Sequence, residues 1–231
     1  MNLGLVNIVN IVPIEILNAS WLLIGFENTH TNMGDSMHLA LLYKDNYKSS
    51  KDLRQDASRL FSNNNTSPVL RIHSECILGD ALHSSLCDCG EQLEHSLQEI
   101  MQHGSGILLY LRQEGRGIGL RAKLACLAAQ EGYVNGVRQV GKMTPDEANI
   151  YCGHKIDERS YDIVPEILLF IGVKKAILIT SNVDKINAVK ASGVEIESIS
   201  DIDRSDIPIE SRKHCELSEK AKRNYLLGAF L

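Results

Sequence analysis

The sequence predicts an α/β fold, and two observations carry that expectation. From residue 69 onward, apolar runs of strand length alternate with segments whose apolar residues recur at helical spacing, the order of a sheet flanked by helices. Ahead of residue 45 only strand-like runs appear, Trp21–Phe26 and Met37–Tyr43, separated by Asn, Thr and Gly.

Taken in order, residues 1–45 form a short N-terminal β region. Residues 45–67 are polar, end in Asn63, Asn64, Asn65, Thr66, Ser67 and Pro68, and predict an exposed loop. A strand is expected over Val69–Cys76. Helix follows over Gly90–His103, with Leu93, Leu97, Ile100 and Met101 on one face. Gly106–Leu111 predicts a buried strand, and Ile118–Gln130 a second helix. Residues 133–156 carry Gly136, Gly141, Pro145 and Gly153 and are expected to be irregular. Helix is predicted over Arg159–Gly172, strand over Ala176–Thr180, and helix over Val183–Ala191, closed by Gly193. A last strand is expected over Val194–Ile199 and a last helix over Glu216–Leu227. With no internal repeat, residues 1–231 read as a single domain.

At 231 residues and 44% hydrophobic, the chain can bury a sizeable core. Its net charge of −5 and pI of about 5.9 argue against a broad nucleic-acid surface. A polyanionic small substrate would need a local basic cluster, which Arg71, Arg116, Arg121, Lys123, Arg159 and Lys185 could supply. No apolar run has the length of a membrane span, and Met1–Val6 has no signal-peptide pattern. Of six cysteines three are clustered, which fits metal binding in a reducing cytoplasm better than a disulfide framework.

The clustered cysteines are Cys76, Cys87 and Cys89, with Gly90 allowing a sharp turn. A structural zinc takes four ligands, so three thiolates suggest a zinc with a position open to water. The alternatives are three buried small residues, or a closed site completed by His73 or His83. Cys126, Cys152 and Cys215 are isolated and read as packing or surface thiols. Downstream, Arg112, Gln113, Glu114, Gly115, Arg116, Gly117, Ile118 and Gly119 link a strand to a helix. Backbone N–H groups there favour anions, and Arg116 can grip phosphate as a fork. Glu114 cannot favour phosphate, but it could accept from the donor edge of guanine. The plainer alternative is a Gly-rich turn with a solvated charge pair. An open zinc beside an anion-binding turn reads as a hydrolase acting on a nucleotide. Asp157 and Glu158 also suit a helix start, and the stretch from Thr180 to Lys185 suits either a capped helix or a phosphate or base contact.

Together these segments resemble GTP cyclohydrolase II, the zinc enzyme family that opens the imidazole ring of GTP at the head of riboflavin biosynthesis. The stretches from Arg71 to Asp80, from Cys87 to Leu93 and from Arg112 to Leu120 are highly specific to it. The likeness runs from about Val69 to Leu227 and is weaker over residues 15–44. It implies a single α/β domain with a mixed sheet and flanking helices, assembled as a homodimer. It makes Cys76, Cys87 and Cys89 the Zn²⁺ ligands. It places Arg71, Ile72, His73, Ser74, Glu75, Gln92, Glu114, Gly115, Arg116, Thr180 and Lys185 around GTP, with Thr144 as the best match to a further threonine contact. Asp157 takes the family role of proton acceptor and Arg159 that of nucleophile. Since a guanidinium stays protonated, a clamp on phosphate charge is the physically sounder role for Arg159. Mg²⁺ would assist loss of pyrophosphate, and zinc-activated water would add to C8 of the purine.

Three departures stand out. Leu127 occupies the position of a family tyrosine that assists hydrolysis at zinc, so the expected product is a formylated aminopyrimidine ribonucleotide. Completed deformylation, with formate released for riboflavin biosynthesis, is the alternative. An insertion lies between Tyr133 and Glu147, and Ser181, Asn182 and Val183 replace the usual Asn-Asn-Pro. A non-catalytic GTP-binding paralogue is disfavoured by the intact cysteines, Asp157 and Arg159. A zinc-stapled nucleic-acid module is disfavoured by the acidic pI.

Overall fold

A computed structural model describes residues 4–29, 37–62 and 66–202. The predicted helix at Glu216–Leu227, and Cys215, lie outside the described residues. The described chain falls into two compact units. The first comprises the described residues up to His73, with Gln92–Arg112 and Tyr161–Ile202; the second comprises Ser74–Glu91 and Gln113–Ser160.

The first unit holds a seven-stranded sheet in the order β1-β2-β3-β5-β4-β8-β9. Its strands are β1 (Val6–Ile16), β2 (Ala19–Asn28), β3 (Met37–Lys44), β4 (Val69–Ser74), β5 (Ser105–Leu111), β8 (Lys175–Ile179) and β9 (Glu195–Ser200). β1, β2, β3 and β5 pair antiparallel in sequence, whereas β4 with β8 and β8 with β9 are parallel. The sheet is therefore mixed. Pro13 is accommodated because β1 is an edge strand, where a missing N–H breaks no ladder. The β1–β2 turn places both Leu17 and Asn18 at positive φ, 51° and 59°, the pattern of a tight primed hairpin turn.

Side chains alternate across this sheet. On β5, Ile107, Leu109 and Leu111 join one core while Leu108 and Tyr110 join the other. The larger core is closed by α1 (Leu53–Arg59), α6 (Val164–Ile171) and α7 (Val183–Ala191), which supply Ala57, Ile167, Leu168, Ile186 and Val189. The smaller is closed by α3 (Cys89–His103), whose Ile100 is fully buried with Leu93, Leu97 and Met101 packed beside it. That is the face read from helical spacing. Burying a side chain such as Ile100 contributes about 1.5–3 kcal/mol.

Three expectations need correction. The 45–67 segment is not loop throughout. Asp52 Oδ1 accepts from the backbone N–H of Gln55 and starts α1, and Ala57, Leu60 and Phe61 bury into the core. Helix does not begin at Arg159. It begins at Val164, with Pro165 in the first turn, where its lost donor costs nothing. Residues 133–156 are not irregular throughout either. In the second unit they form a small hairpin, β6 (Tyr133–Val134) with β7 (Val137–Arg138), then α5 (Pro145–Tyr151). Thr144 is the N-cap of α5: its hydroxyl accepts from Glu147 N–H, and the Glu147 carboxylate accepts from Thr144 N–H, a capping box followed by Pro145. The second unit also contains α2 (Ile77–Asp80) and α4 (Gly119–Gln130). No helix among the described residues is long and apolar enough to cross a membrane.

Candidate functional site

The three clustered cysteines converge. Their Sγ atoms all lie within 4.8 Å of one another, and Cys76 and Cys87 are 3.5 Å apart. Tetrahedral zinc with bonds of about 2.3 Å holds its sulfurs roughly 3.8 Å apart, so the spacing fits a metal without rebuilding. No fourth His, Cys, Asp or Glu joins the group among the described residues. His73 belongs to the first unit, where its ring stacks on Tyr110 with centroids 5.5 Å apart.

Local backbone makes this convergence possible. Cys76 caps the short α2, and its N–H donates to Asp80 Oδ2 at 2.9 Å. Cys89 opens α3. The two turns meet at glycines: a Cβ on Gly79 would lie 2.9 Å from Cys89 Cβ, and one on Gly90 only 2.3 Å from the Gly79 carbonyl oxygen. Only hydrogen at these positions lets the cysteine-bearing segments touch. Hydrogen bonds from Cys87 and Cys89, reinforced by the Lys123 ammonium, hold the Cys76 thiol far below its usual pKa. The bond to Cys76 pushes Cys87 up to about 11.

Lys123, on α4, donates to Cys76 Sγ at 3.0 Å and to Glu114 Oε1 at 2.6 Å. Burial works against its charge, but the bond to Glu114 and the Cys76 sulfur outweigh it and raise its pKa. Glu114 is only 3% exposed. Its Oε1 also accepts from Gly115 N–H, and its Oε2 accepts from Ile77 N–H at 2.6 Å.

The Gly turn bends at Gly115, Arg116 and Gly117, all at positive φ. Residues 155–160 dock on it. Glu158 N–H donates to the Arg116 carbonyl, Ser160 N–H donates to Gln113 Oε1, and a Cβ on Gly117 would come within 2.7 Å of the Glu158 backbone. Asp157 and Arg159 pair through both carboxylate oxygens. Burial alone would raise the Asp157 pKa, but Arg159 holds it below the ordinary carboxylate range. Arg116 Nη1 pairs with Asp146 Oδ1 at 2.6 Å. A cavity of ≈ 320 Å³ within the second unit is lined by the three cysteines, Gln113, Lys123 and Leu127, among others that include Ser74, Glu75, Arg116 and Arg159. Gln113 Nε2 and Ser74 Oγ are buried and find no hydrogen-bond partner.

Comparison with known proteins bears on this arrangement. The sequence model of GTP cyclohydrolase II matches residues 10–200. A protein named GTP cyclohydrolase-2 from Histophilus somni (strain 2336) is 41% identical over 171 residues, covering 73% of this chain and 71% of the relative. One of the same name from Shewanella sp. (strain ANA-3) is 38% identical over 203 residues, covering 87% and 83%. The chain belongs to the GTP cyclohydrolase II family. Among solved structures, RibBX, a two-domain 3,4-dihydroxy-2-butanone 4-phosphate synthase from A. baumannii, is similar with a TM-score of 0.40 and 15% identity. That match covers 87% of this chain and 41% of RibBX.

The residues that the GTP cyclohydrolase II resemblance singles out distribute over both units. Cys76, Cys87, Cys89, Ser74, Glu75, Glu114, Gly115, Arg116, Thr144, Asp157 and Arg159 lie in the second. Arg71, Ile72, His73, Gln92, Thr180 and Lys185 lie in the first. There, Arg71 donates to Gln92 Oε1 at 2.7 Å and to the Ile179 carbonyl at 3.1 Å. Lys185 donates to the Ile72 carbonyl at 2.7 Å, and Thr180 follows the last residue of β8. The carboxyl ends of adjacent parallel strands are where α/β sheets take ligands.

Two sequence-predicted GTP contacts already have protein partners. Three donors, the N–H groups of Ile77 and Gly115 and the Lys123 ammonium, reach the Glu114 carboxylate. The Thr144 hydroxyl oxygen accepts from Glu147 N–H at the start of α5. Two residues were missed. Lys123 figured only as a source of general positive charge, and a contact from α4 back to Cys76 has no signature in sequence spacing. Gln113 was passed over as part of the turn, and the orientation of its amide depends on Ser160, distant in the chain.

Proposed function

We propose that this chain is a zinc-dependent GTP cyclohydrolase that hydrolyses GTP at C8, opens the imidazole ring, releases pyrophosphate and yields a formylated aminopyrimidine ribonucleotide. The observation that carries the reading is the trio of thiols facing a cavity that Arg116 and Arg159 also line. Cys76, Cys87 and Cys89 would hold zinc, which supplies a water acidified toward neutral pH. Arg159, charged and oriented by Asp157, clamps phosphate oxygens, and Gly115 and Arg116 approach the same anion. Gln113 Nε2 and Ser74 Oγ offer buried polar groups that a substrate can satisfy. Arg71, Ile72, His73, Glu75, Gln92, Thr180 and Lys185 are assigned to GTP binding on the family resemblance, as are Mg²⁺, a homodimer and a cytoplasmic location. Leu127 on the cavity wall favours the formylated product over completed deformylation, because leucine offers no hydrogen bond to developing charge.

Mass spectrometry of the products from GTP, with formate and pyrophosphate assayed in parallel, tests the proposal. The expected result is one pyrophosphate per ring opened, a product that retains the formyl carbon, and no turnover without metal. GTP recovered intact by metal-loaded protein would refute it.

A further inference from the structure

The buried Glu114 and the half-buried Lys123 form an ion pair aimed at one cysteine. The Lys123 Nζ lies 2.6 Å from Glu114 Oε1 and 3.0 Å from Cys76 Sγ. The Glu114 side chain is 3% exposed and that of Lys123 16%. The other Glu114 oxygen accepts from the N–H of Ile77, the residue immediately after Cys76, at 2.6 Å. Asp80 holds the N–H of Cys76 itself. Carboxylates thus fix the peptide on both sides of Cys76, and an ammonium rests on its sulfur. The Gly turn makes room for this: a Cβ on Gly115 would stand 2.9 Å from Lys123 Cβ.

We propose that Glu114 and Lys123 are positioning residues for Cys76, serving the metal site and not the recognition of guanine. The inference rests on the reading of the three cysteines as metal ligands. Thiolates crowded within a few ångströms repel one another, and on a divalent ion they leave a net negative charge. Lys123 offsets that charge at Cys76. Glu114 holds Lys123 in place, ties the Gly turn to the start of α2, and keeps the pair neutral as a unit. Partners behind metal ligands orient them in this way, and their loss costs 10–100-fold in metal affinity or activity.

The test needs no substrate. Apo protein is titrated with zinc against a chromophoric chelator, and the cobalt-substituted protein is examined for its thiolate charge-transfer absorption. Lys123→Met is expected to weaken zinc binding by about 10–100-fold and to shift the cobalt band, with Lys123→Arg restoring most of the affinity. Glu114→Gln, which gives three donors one oxygen and an opposing NH₂, is expected to weaken zinc binding while leaving the preference for GTP over ATP intact. Wild-type affinity and an unmoved cobalt band in Lys123→Met would overturn the proposal. So would Glu114→Gln that binds zinc normally but accepts ATP. Should Lys123→Met fail to fold, the arginine and Glu114→Gln variants decide the matter by the same readouts. A wild-type protein that binds no zinc would instead remove the metal reading itself.

Discussion

Arg116 on the Gly turn meets Asp146 in the first turn of α5 at 2.6 Å, with their side chains only 13% and 21% exposed. The arginine that the family resemblance assigns to GTP is therefore already matched by a carboxylate from the last residue of the 133–146 insertion. On the proposed function, a phosphate would share that guanidinium with Asp146, which takes Nη1. Asp146→Asn is expected to lower the KM for GTP by about 2–5-fold, the worth of a modest ion pair, with kcat little changed. Steady-state kinetics at low and moderate salt measure this. A raised KM would mean instead that Asp146 aims Arg116 at the substrate.

The contact between Gly79 and Gly90 predicts a sharp steric effect. Gly90→Ala places a methyl where the Gly79 carbonyl oxygen already stands, so α2 must move away from the start of α3. Overpacking of this kind costs about 1–3 kcal/mol. The variant should melt lower and bind metal more weakly, read by thermal denaturation and metal analysis of the same preparation. An unchanged Tm with full metal content would contradict the close approach.

Asp157 predicts a pH dependence. Its folded pKa lies below its unfolded value because Arg159 stabilises the charged form. A depressed carboxylate contributes stability above its unfolded pKa, near 3.9, and loses it as pH falls through the folded pKa. Arg159→Met should therefore be less stable than wild type from about pH 4 up to neutrality. The two should converge at lower pH. Parallel Tm measurements across pH 2–7 would show the gap, and a constant offset at every pH would count against the pairing.

Lys123 and Leu127 are one turn apart on α4, and both line the cavity of the thiols. A donor at position 127 would act on the same reaction centre. Loss of such a hydrogen bond to developing charge costs ~2.7–4 kcal/mol, or ~100–1000-fold in rate. The second hydrolysis attacks a resonance-stabilised formamide and should suffer more than ring opening does. Wild type is expected to release little formate, and Leu127→Tyr to shift the product toward the deformylated pyrimidine. Stoichiometric formate from wild type would show that another group supplies the missing hydrogen bond.

How much was legible in sequence follows from the range of the forces involved. The face of α3 carrying Leu93, Leu97, Ile100 and Met101 was readable because helical periodicity is local. So was α7, found at the predicted Val183–Ala191 with Asn182 as its cap. The start of α5 is also local: Thr144, Pro145 and Glu147 spell a capping box, a stronger signal than the breakers Gly136, Gly141 and Gly153 around it. Helix α1 is short and polar, and its burial of Ala57 follows from packing against strands distant in the chain.

The sequence by itself determined the family, the α/β class and the three cysteines, because these rest on residue identity, spacing and periodicity. The tertiary structure alone decided the contacts of Glu114, Lys123, Thr144 and Arg116. A carboxylate that could read a base and one that is filled by Ile77, Gly115 and Lys123 are the same residue in sequence. What separates them is which donors the fold brings within about 3 Å, the range over which hydrogen bonds form.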